Sequence, residues 1–308
     1  MRDYDKFIIG GAVGGIFLGT GIGLSDRVTA DIPQTGITVG AMLLTGTYIL
    51  GRSCQTWHKE YNAPSIESTQ ANPKGLSEGS PVYSKDIALY ETFSKSEDAR
   101  NTIVRYLSPI IRGKTVLDIC CGNGKYASLL GPLAESYVGI DSSKEALECA
   151  RQNMLRTQQQ ENCSNNKKSI DFFCADATSL SLTTKSIAIA ISTWGIGSIT
   201  GDERRRAALL EAERIARNDI YLFENSADGE FQKVRGSKYT TQAIDYGRWL
   251  SQQGFTHVTD LESHFLFEST DDARRVFRAI WDQDIASRVK CEKIAHTIAV
   301  FHKKVSNE

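Results

Sequence analysis

The sequence predicts an α/β protein: a doubly wound sheet of seven mostly parallel strands, preceded by two transmembrane helices. From residue 83 onward, helical patterns alternate with short β-branched runs, which is typical of βαβ units. The first 52 residues hold two long stretches without any charged side chain. We therefore divide the chain into a membrane anchor (1–52), a linker (53–82) and one domain (83–308).

Composition limits the classes of function. The 308 residues include 36 basic and 37 acidic side chains, giving a net charge of −1, and 41% are hydrophobic. The apolar fraction excludes a disordered chain. The near-zero net charge gives no basic surface for DNA or RNA, so no nucleic-acid partner is expected. The seven cysteines form no C-x-x-C pair, so neither a zinc ribbon nor a disulfide framework is indicated, and a reducing compartment is expected.

The uncharged stretches run from Phe7 to Leu24 and from Ile32 to Gly51, each long enough to cross a bilayer as a helix. Small residues recur on one face of each predicted helix, where a neighbouring helix can approach closely. These residues are Gly11, Gly15, Gly19 and Gly23 in the first helix, and Gly36, Gly40, Ala41 and Thr45 in the second. The pattern predicts an antiparallel membrane hairpin, and the four glycines of the first helix offer a face for self-association.

Other interpretations of this region stay open. A soluble or interfacial hairpin fits the same pattern, and the segment from Phe7 to Gly15 is similar to the start of a dinucleotide-binding turn, with Ala12 where a glycine is needed. A signal peptide or a mitochondrial transit peptide is disfavoured by the balanced charge of residues 1–6 and by the second apolar stretch.

Basic residues flank both outer ends of the hairpin, and one lies in its loop. Arg2 and Lys6 precede the first helix, Arg52 and Lys59 follow the second, and Arg27 lies between them. The positive-inside rule places both ends on the cytoplasmic side, or on the matrix side of the mitochondrial inner membrane in a eukaryote. The expected location is thus a membrane.

The linker carries half of the prolines, Pro64, Pro73 and Pro81, among polar residues. After it, the predicted strands are Thr115–Ile119, Ser136–Ile140, Ile170–Ala175, Ile187–Ser192, Ile220–Glu224, Val258–Phe267 and His296–His302. The predicted helices are Lys125–Leu130, Lys144–Thr157, Asp202–Ala216, Thr240–Gln253 and Thr270–Ile285, with a polar surface loop over Thr157–Lys168. No crossover helix separates the last two strands in the usual way, so an antiparallel edge is expected there.

A strand, a glycine turn and a helix start follow one another between Thr115 and Tyr126. Asp118, Gly122 and Gly124 stand in the pattern hydrophobic-hydrophobic-Asp-x-x-x-Gly-x-Gly, which resembles motif I of class I S-adenosylmethionine-dependent methyltransferases. Glycines there let the backbone turn sharply and approach a ligand. The resemblance covers roughly residues 83–304. It implies a Rossmann-like fold and S-adenosylmethionine as cofactor. Asp118 would accept a hydrogen bond from the ammonium of the cofactor's methionine moiety, and Cys120 is a further cofactor-binding residue that the resemblance implies.

Further cofactor-binding residues follow from the same resemblance. Asp141, at the end of the second strand, would hold the ribose hydroxyls, and Ser142 would follow it as the helix cap. Asp176 would accept from the adenine amine, with the backbone N–H of Ala177 on the ring nitrogen. Ser192, at the end of the fourth strand, completes the predicted cofactor set.

The chain departs from the family pattern at three places. Cys120 and Cys121 replace small or acidic residues, and we interpret them as inert thiols. Ala188 stands where many relatives carry Asp. No proline follows Pro132, so the Asn/Asp-Pro-Pro-aromatic motif is absent, which disfavours methylation of exocyclic or amide nitrogen through that motif.

The acceptor pocket is expected beside the ends of the fourth and fifth strands. Its predicted residues are Tyr83 and Tyr90 on a lid helix, then Thr193, Trp194 and Asn225. Glu224 is the one acid that we nominate as general base. The histidines match no metal-ligand spacing, so no metal is expected, and the run Glu203–Arg206 is interpreted as a solvated helix face.

Three hypotheses of function result. The leading one is a membrane-anchored methyltransferase acting on a lipophilic small molecule, such as a quinone precursor, or on a membrane-associated acceptor. The second is a methyltransferase-like membrane assembly or scaffold protein without turnover. The third is a soluble small-molecule methyltransferase with a buried N-terminal hairpin.

Overall fold

A computed structural model describes residues 86–160 and 169–306, without the side chains of 158–160. The predicted hairpin, the linker, Tyr83 and most of the predicted loop Thr157–Lys168 lie outside the described residues. Within the described ranges, no helix combines the length and the hydropathy that crossing a membrane requires.

The described strands form one seven-stranded sheet in the order β3-β2-β1-β4-β5-β7-β6. Strands β1 to β5 pair in parallel, whereas β7 runs antiparallel to both β5 and β6. The expected antiparallel edge is thereby confirmed. The strands are β1 (Thr115–Ile119), β2 (Ser136–Asp141), β3 (Ser169–Cys174), β4 (Ile187–Thr193), β5 (Ala216–Asn225), β6 (Thr256–Leu266) and β7 (Lys293–Lys304).

The centre of the sheet is apolar on both faces. The run Ile187–Ile191 of β4 is wholly buried, as a parallel strand covered on both sides requires. The pairing of β4 with β5 shifts register between Ile187 and Ile189, and the N–H of the intervening Ala188 donates to Thr115 Oγ1 at 2.7 Å. Because β1 lies between β2 and β4, the chain leaves it toward one side and later returns on the other, which creates a topological switch point at its carboxyl end.

Helices cover both faces of the sheet. In chain order the helices are α1 (Ile87–Ser96), α2 (Thr102–Ile111), α3 (Lys125–Leu130), α4 (Lys144–Gln160), α5 (Asp202–Ile215), α6 (Glu230–Arg235), α7 (Ser237–Gln252), α8 (Thr270–Ile280) and α9 (Gln283–Arg288). Helices α2, α3 and α4 pack on one face, while α5 and α7 pack on the other. A third cluster joins α1, α6, α8 and α9 to the ends of β6 and β7, and so places these helices above the carboxyl edge of the sheet.

Two local predictions are wrong. The helix predicted over Thr270–Ile285 ends at Ile280, because Trp281 leaves the helical conformation and Asp282 caps a new helix by accepting from the N–H of Ile285 at 2.8 Å. The side chain that caps α4 is Ser143, which accepts from the N–H of Ala146 at 3.1 Å, and not the predicted Ser142.

Candidate active site

A cleft of about 960 Å³ opens at the carboxyl ends of β1, β2, β4 and β5. Its floor is made by residues 120–123 after β1 and 141–143 after β2, which we call the glycine-turn end. The other part, the aromatic end, lies against Trp194, Glu224 and Asn225 and under the helices α1, α6 and α7. A cavity of about 50 Å³ adjoins the floor and is lined by Asp176, Ala177 and Arg204.

The glycine turn shapes the floor through its backbone conformation. Gly122 and Gly124 have φ of +56° and +70°, a region that side chains rarely adopt. A Cβ on Gly124 would lie 2.8 Å from Cβ of Ala150, and a Cβ on Gly122 would collide with the hydroxyl of Tyr90. The turn therefore brings bare backbone to the cleft directly beneath the predicted lid residue Tyr90.

Asp141 faces the cleft and is held by the protein's own amides. Its Oδ2 accepts from the N–H of Gly122 at 2.9 Å, and its Oδ1 accepts from the N–H of Ser143 at 2.9 Å. Burial raises the pKa of this carboxyl, and the backbone N–H groups oppose that rise. Each oxygen keeps a lone pair for a ligand hydroxyl, which fits the ribose role predicted for Asp141, with Ser142 beside it in the lining.

Asp176 is held as firmly in the smaller cavity. Its Oδ1 accepts from the N–H and the hydroxyl of Thr178, and its Oδ2 accepts from Arg204 at 2.9 Å. Burial raises its pKa, but these donors outweigh burial and bring the pKa below its usual value. Arg204 therefore builds the site, as does Arg205 in the cleft lining, so the interpretation of Glu203–Arg206 as only a solvated face is wrong.

Two predicted cofactor residues lie beneath the floor and do not line the cleft. Asp118 is 1% exposed, its Oδ2 accepts from the hydroxyl of Tyr137 at 2.7 Å, and burial raises its pKa to about 7. Its Oδ1 has no hydrogen-bond partner among the described residues. Ser192 donates to the carbonyl of Ile119 at 2.8 Å and accepts from the N–H of Ile196 at 3.3 Å. Both side chains therefore join neighbouring strands and turns.

The two cysteines of the turn differ in position. Both line the cleft, but Cys120 has φ of +61°, whereas Cys121 is buried and also packs in the core beside α3. Burial raises the pKa of both thiols well above the usual value, so both are held as thiols at neutral pH.

The aromatic end brings together the predicted residues Tyr90, Thr193, Trp194, Glu224 and Asn225. Glu224 is 6% exposed, and it accepts from the N–H of Gly197 at 3.3 Å. Burial raises its pKa to about 8, against the opposing effects of that N–H and of the Arg205 charge. A carboxyl with a pKa near neutrality suits general-base work.

Behind this end, His296 forms a buried wall. It is 1% exposed, Nε2 lies 2.9 Å from Oδ1 of Asn225, and the ring stacks on Trp194 at 5.8 Å. Burial lowers its pKa to about 3, so the ring is neutral. No group of three or more potential metal-ligating side chains occurs in the part of the chain that the structure describes.

Several lining residues were not predicted. Glu97 follows α1 and is 8% exposed, and burial raises its pKa to about 8, with the charges of Lys125 and Arg235 opposing the rise and those of Asp98 and Glu224 adding to it. Lys125 donates to the backbone carbonyls of Ser94 and Glu97 and so joins α1 to α3. The aromatic lining comprises Tyr90, Phe93, Tyr126, Trp194, Phe231, Tyr239, Tyr246, Trp249 and Trp281. Four of these nine residues lie in α6 and α7, whose amphipathic pattern could have been used to suggest that these helices cover the sheet edge.

Residues 116–219, from β1 into β5, match the family model described as "Methyltransferase domain". The chain is 30% identical over 93 residues to the mouse tRNA (uracil-5-)-methyltransferase homolog A, and 34% identical over 67 residues to an uncharacterized RNA methyltransferase of Clostridium tetani. These alignments cover 30% and 22% of this chain but only 14% and 15% of the length of those relatives.

Among solved structures, magnesium protoporphyrin IX methyltransferase of Synechocystis is similar, with 13% identity and a TM-score of 0.49 over 74% of this chain and 98% of that chain. The matched range contains Gly122 and Gly124 of the glycine turn, together with Asp141 and Asp176. The matched segment, residues 116–219, thus corresponds to an S-adenosylmethionine-dependent methyltransferase domain.

Proposed function

We propose that this protein transfers a methyl group from S-adenosylmethionine to a small lipophilic acceptor that binds at the aromatic end of the cleft. The observation that carries the proposal is the continuity of the cleft, in which the glycine-turn end and the aromatic end share one space of about 960 Å³. Sites of roughly 300–1,000 Å³ lined by aromatic side chains are typical of small-molecule ligands.

The lining also favours such an acceptor over RNA, although curated relatives of the matched segment are RNA methyltransferases. Among the described residues that line the cleft, carboxylates outnumber cationic side chains by six to three. The carboxylates are Glu97, Asp141, Glu145, Asp202, Glu224 and Asp245, and the cations are Lys125, Arg205 and Arg235. Because the pKa values of Glu97 and Glu224 are raised to about 8, four of these carboxylates face three cations at neutral pH, so the lining has no excess of positive charge to attract a polyanionic strand.

The residues divide the work between binding and proton transfer. Asp141 would hold the ribose hydroxyls, while Asp176 and Ala177 would meet the adenine. When bound, S-adenosylmethionine supplies an electrophilic methyl group on a sulfonium, so the protein's main task is alignment. Glu224, whose pKa is raised to about 8 by burial, would accept the proton of the acceptor group.

Cofactor binding is the first test. We expect calorimetry to show S-adenosylmethionine binding to the full chain, with a large loss in the variant Asp141→Ala and none in the control Asp171→Ala on the exposed edge strand β3. Mass spectrometry of lipid extracts from cells with and without the gene should then reveal a product heavier by one methylene unit. Failure of the wild-type chain to bind the cofactor would refute the proposal.

Membrane anchoring is part of this proposal, because an anchor would confine the enzyme close to a lipophilic acceptor. It is supported by the two uncharged stretches, Phe7–Leu24 and Ile32–Gly51, and by the basic residues that flank them. We expect the protein to stay in the pellet after carbonate extraction, and release into the supernatant would favour the soluble alternative.

A scaffold role is the second candidate, and the burial of Asp118 away from the cleft is the observation that favours it. A genetic rescue experiment separates the two roles. If a double variant at Asp118 and Asp141 that no longer binds cofactor still restores function in cells, the scaffold role holds. If the double variant fails while an equally abundant wild-type chain succeeds, turnover is required.

A further inference from the structure

We propose that the acceptor is a protonated amine on an aromatic or apolar body, and that Glu97 binds its ammonium group at the aromatic end of the cleft. The inference rests on the proposed function, since the bound nitrogen is the group to be methylated. It names the substrate class and adds Glu97 as a substrate-binding residue.

The first observation is the environment of the Glu97 side chain. It lines the cleft and is 8% exposed, and no hydrogen bond or ion pair of its carboxylate is seen among the described residues, although the charges of Lys125 and Arg235 lower its pKa against the effect of burial. The nearby Lys125 directs its Nζ to the backbone carbonyls of Ser94 and Glu97 rather than to the carboxylate. A buried carboxylate without a partner is costly, so a cationic ligand that reaches it gains a strong, charge-assisted contact.

The second observation is that Glu97 faces the same cleft as Glu224. The two are close enough for the charge of Glu224 to raise the pKa of Glu97. Glu224 has one backbone donor, Gly197, at 3.3 Å. A cationic ligand in this cleft would therefore meet two buried carboxyl groups in its lining, whereas an anionic ligand would be repelled by their ionised forms.

The third observation concerns the walls and the cations of this end. Phe93, which precedes Glu97 by one turn of α1, packs edge-on against Trp281 at 5.9 Å, and Trp281 packs against Phe231 at 5.7 Å. Aromatic faces attract alkylammonium groups through cation–π interactions. The local cation Arg235 lies over the Phe231 and Tyr239 rings at 4.5 and 4.8 Å and donates to Gln232 at 2.8 Å.

The step balances with the groups already named. The ammonium gives one proton to the ionised carboxylate of Glu224, which leaves a neutral amine with a lone pair. That lone pair forms the new C–N bond to the methyl carbon, while the electron pair of the breaking C–S bond goes to sulfur. The sulfonium becomes a neutral thioether, and the methylated nitrogen carries the positive charge.

Three probes with one aromatic body test the inference: 3-phenylpropylamine, 3-phenylpropanol and 3-phenylpropanoate. Their binding to the full chain is measured by calorimetry without cofactor at pH 8.5, where Glu97 and Glu224 are mostly ionised and the amine is still protonated. We expect the amine to bind about 10- to 100-fold more tightly than the alcohol, as a buried charge-assisted contact implies. We expect the carboxylate to bind most weakly.

The preference for amine over alcohol should vanish in Glu97→Gln and persist in Glu135→Gln, a control on an exposed turn before β2. Because the readout is a ratio, a folding defect that weakens both ligands alike does not imitate the expected result. Glu97→Asp, which keeps the charge, should retain part of the preference. Equal binding of amine and alcohol, tighter binding of the carboxylate, absence of any amine binding, or an unchanged preference in Glu97→Gln would overturn the inference.

Methyl transfer is assayed separately, so the two proposals can fail independently. An amine preference that depends on Glu97, found in a chain that does not bind S-adenosylmethionine, supports the ammonium site and counts against the proposed function. Methylation of the alcohol but not of the amine supports the proposed function and overturns the inference.

Discussion

Asp141 at the glycine-turn end of the cleft and Asp176 in the adjoining cavity accept several hydrogen bonds from the protein, whereas Glu97 and Glu224 at the aromatic end accept fewer. Asp141 accepts from two backbone amides, and Asp176 from Thr178 and Arg204. Glu224 accepts from one backbone amide at 3.3 Å and lies beside the Tyr246 hydroxyl, while Glu97 is stabilised in its ionised form mainly by the charges of Lys125 and Arg235. The first end is therefore preorganised around a ligand of fixed shape, while the second needs a ligand to supply charge or protons.

Glu224→Gln is the sharpest test of this contrast. Because the amide cannot accept a proton, we expect kcat to fall by about 10²- to 10⁴-fold, the range typical of a lost general base. The affinity for S-adenosylmethionine should stay unchanged, since Glu224 lies at the aromatic end. Calorimetry and initial rates with the best acceptor measure the two effects.

The pH profile of the same pair gives an independent check. The pKa of Glu224 is raised to about 8, so the base form grows as pH rises through that value and the wild-type rate should rise with it. In the Glu224→Gln variant the rate should not rise with pH in this range. If the rate of the variant still rises with pH near 8, a group other than Glu224 is responsible for the pH dependence.

Gly122→Ala tests the other end. The new Cβ would collide with the Tyr90 hydroxyl, and φ of +56° adds backbone strain, so cofactor affinity should fall about 10- to 100-fold. Gly113→Ala is the matched control, because Gly113 has φ of +67° but nothing lies within 4 Å of the point that its new methyl group would occupy. If both variants bind S-adenosylmethionine like the wild type, close approach of the backbone does not matter at this turn.

The same contrast explains which parts of the site were predictable from sequence. Asp141 ends β2, and Gly122 and Asp176 follow β1 and β3 within three residues, so local spacing was enough to place them at one edge of the sheet. Glu97 follows a short helix in a polar segment, and its burial depends on packing between α1, α3 and α6 that no local pattern encodes. Asp118 was placed at the correct strand end, but the Tyr137 hydroxyl that it meets belongs to a neighbouring strand.

Glu97→Gln tests whether the buried carboxyl group that would bind the ligand at the aromatic end lowers the free energy of unfolding of the protein. The folded-state pKa of Glu97 is about 8, above its ordinary value of 4.5, so protonation favours the folded state. The stability from this group is complete below about pH 4.5 and is lost as pH rises toward 8. The wild-type free energy of unfolding should therefore fall between pH 5 and 8.5.

The free energy of unfolding of Glu97→Gln should fall less over this pH range than that of the wild type. At pH 8.5 we expect the variant to be more stable than the wild type by about 1–3 kcal/mol, the cost of a buried polar group without a partner. Urea unfolding at both pH values measures this difference, with Glu135→Gln as the control. A variant that is less stable at pH 8.5 would show that Glu97 has a stabilising partner in the folded chain.

Arg204→Gln should have the smallest effect, because its ion pair with Asp176 is partly exposed. Partly exposed pairs contribute about 0.2–1 kcal/mol, so the affinity for S-adenosylmethionine should fall only about 2- to 5-fold. The hydrogen bonds from Thr178 still hold Asp176 in the variant, which is why the loss is small. Arg206→Gln, on an exposed position of the same helix, is the matched control and should leave cofactor affinity unchanged. A loss above about 30-fold in Arg204→Gln would mean that the guanidinium itself meets the cofactor, and the glycine-turn end would then also depend on its ligand for part of its order.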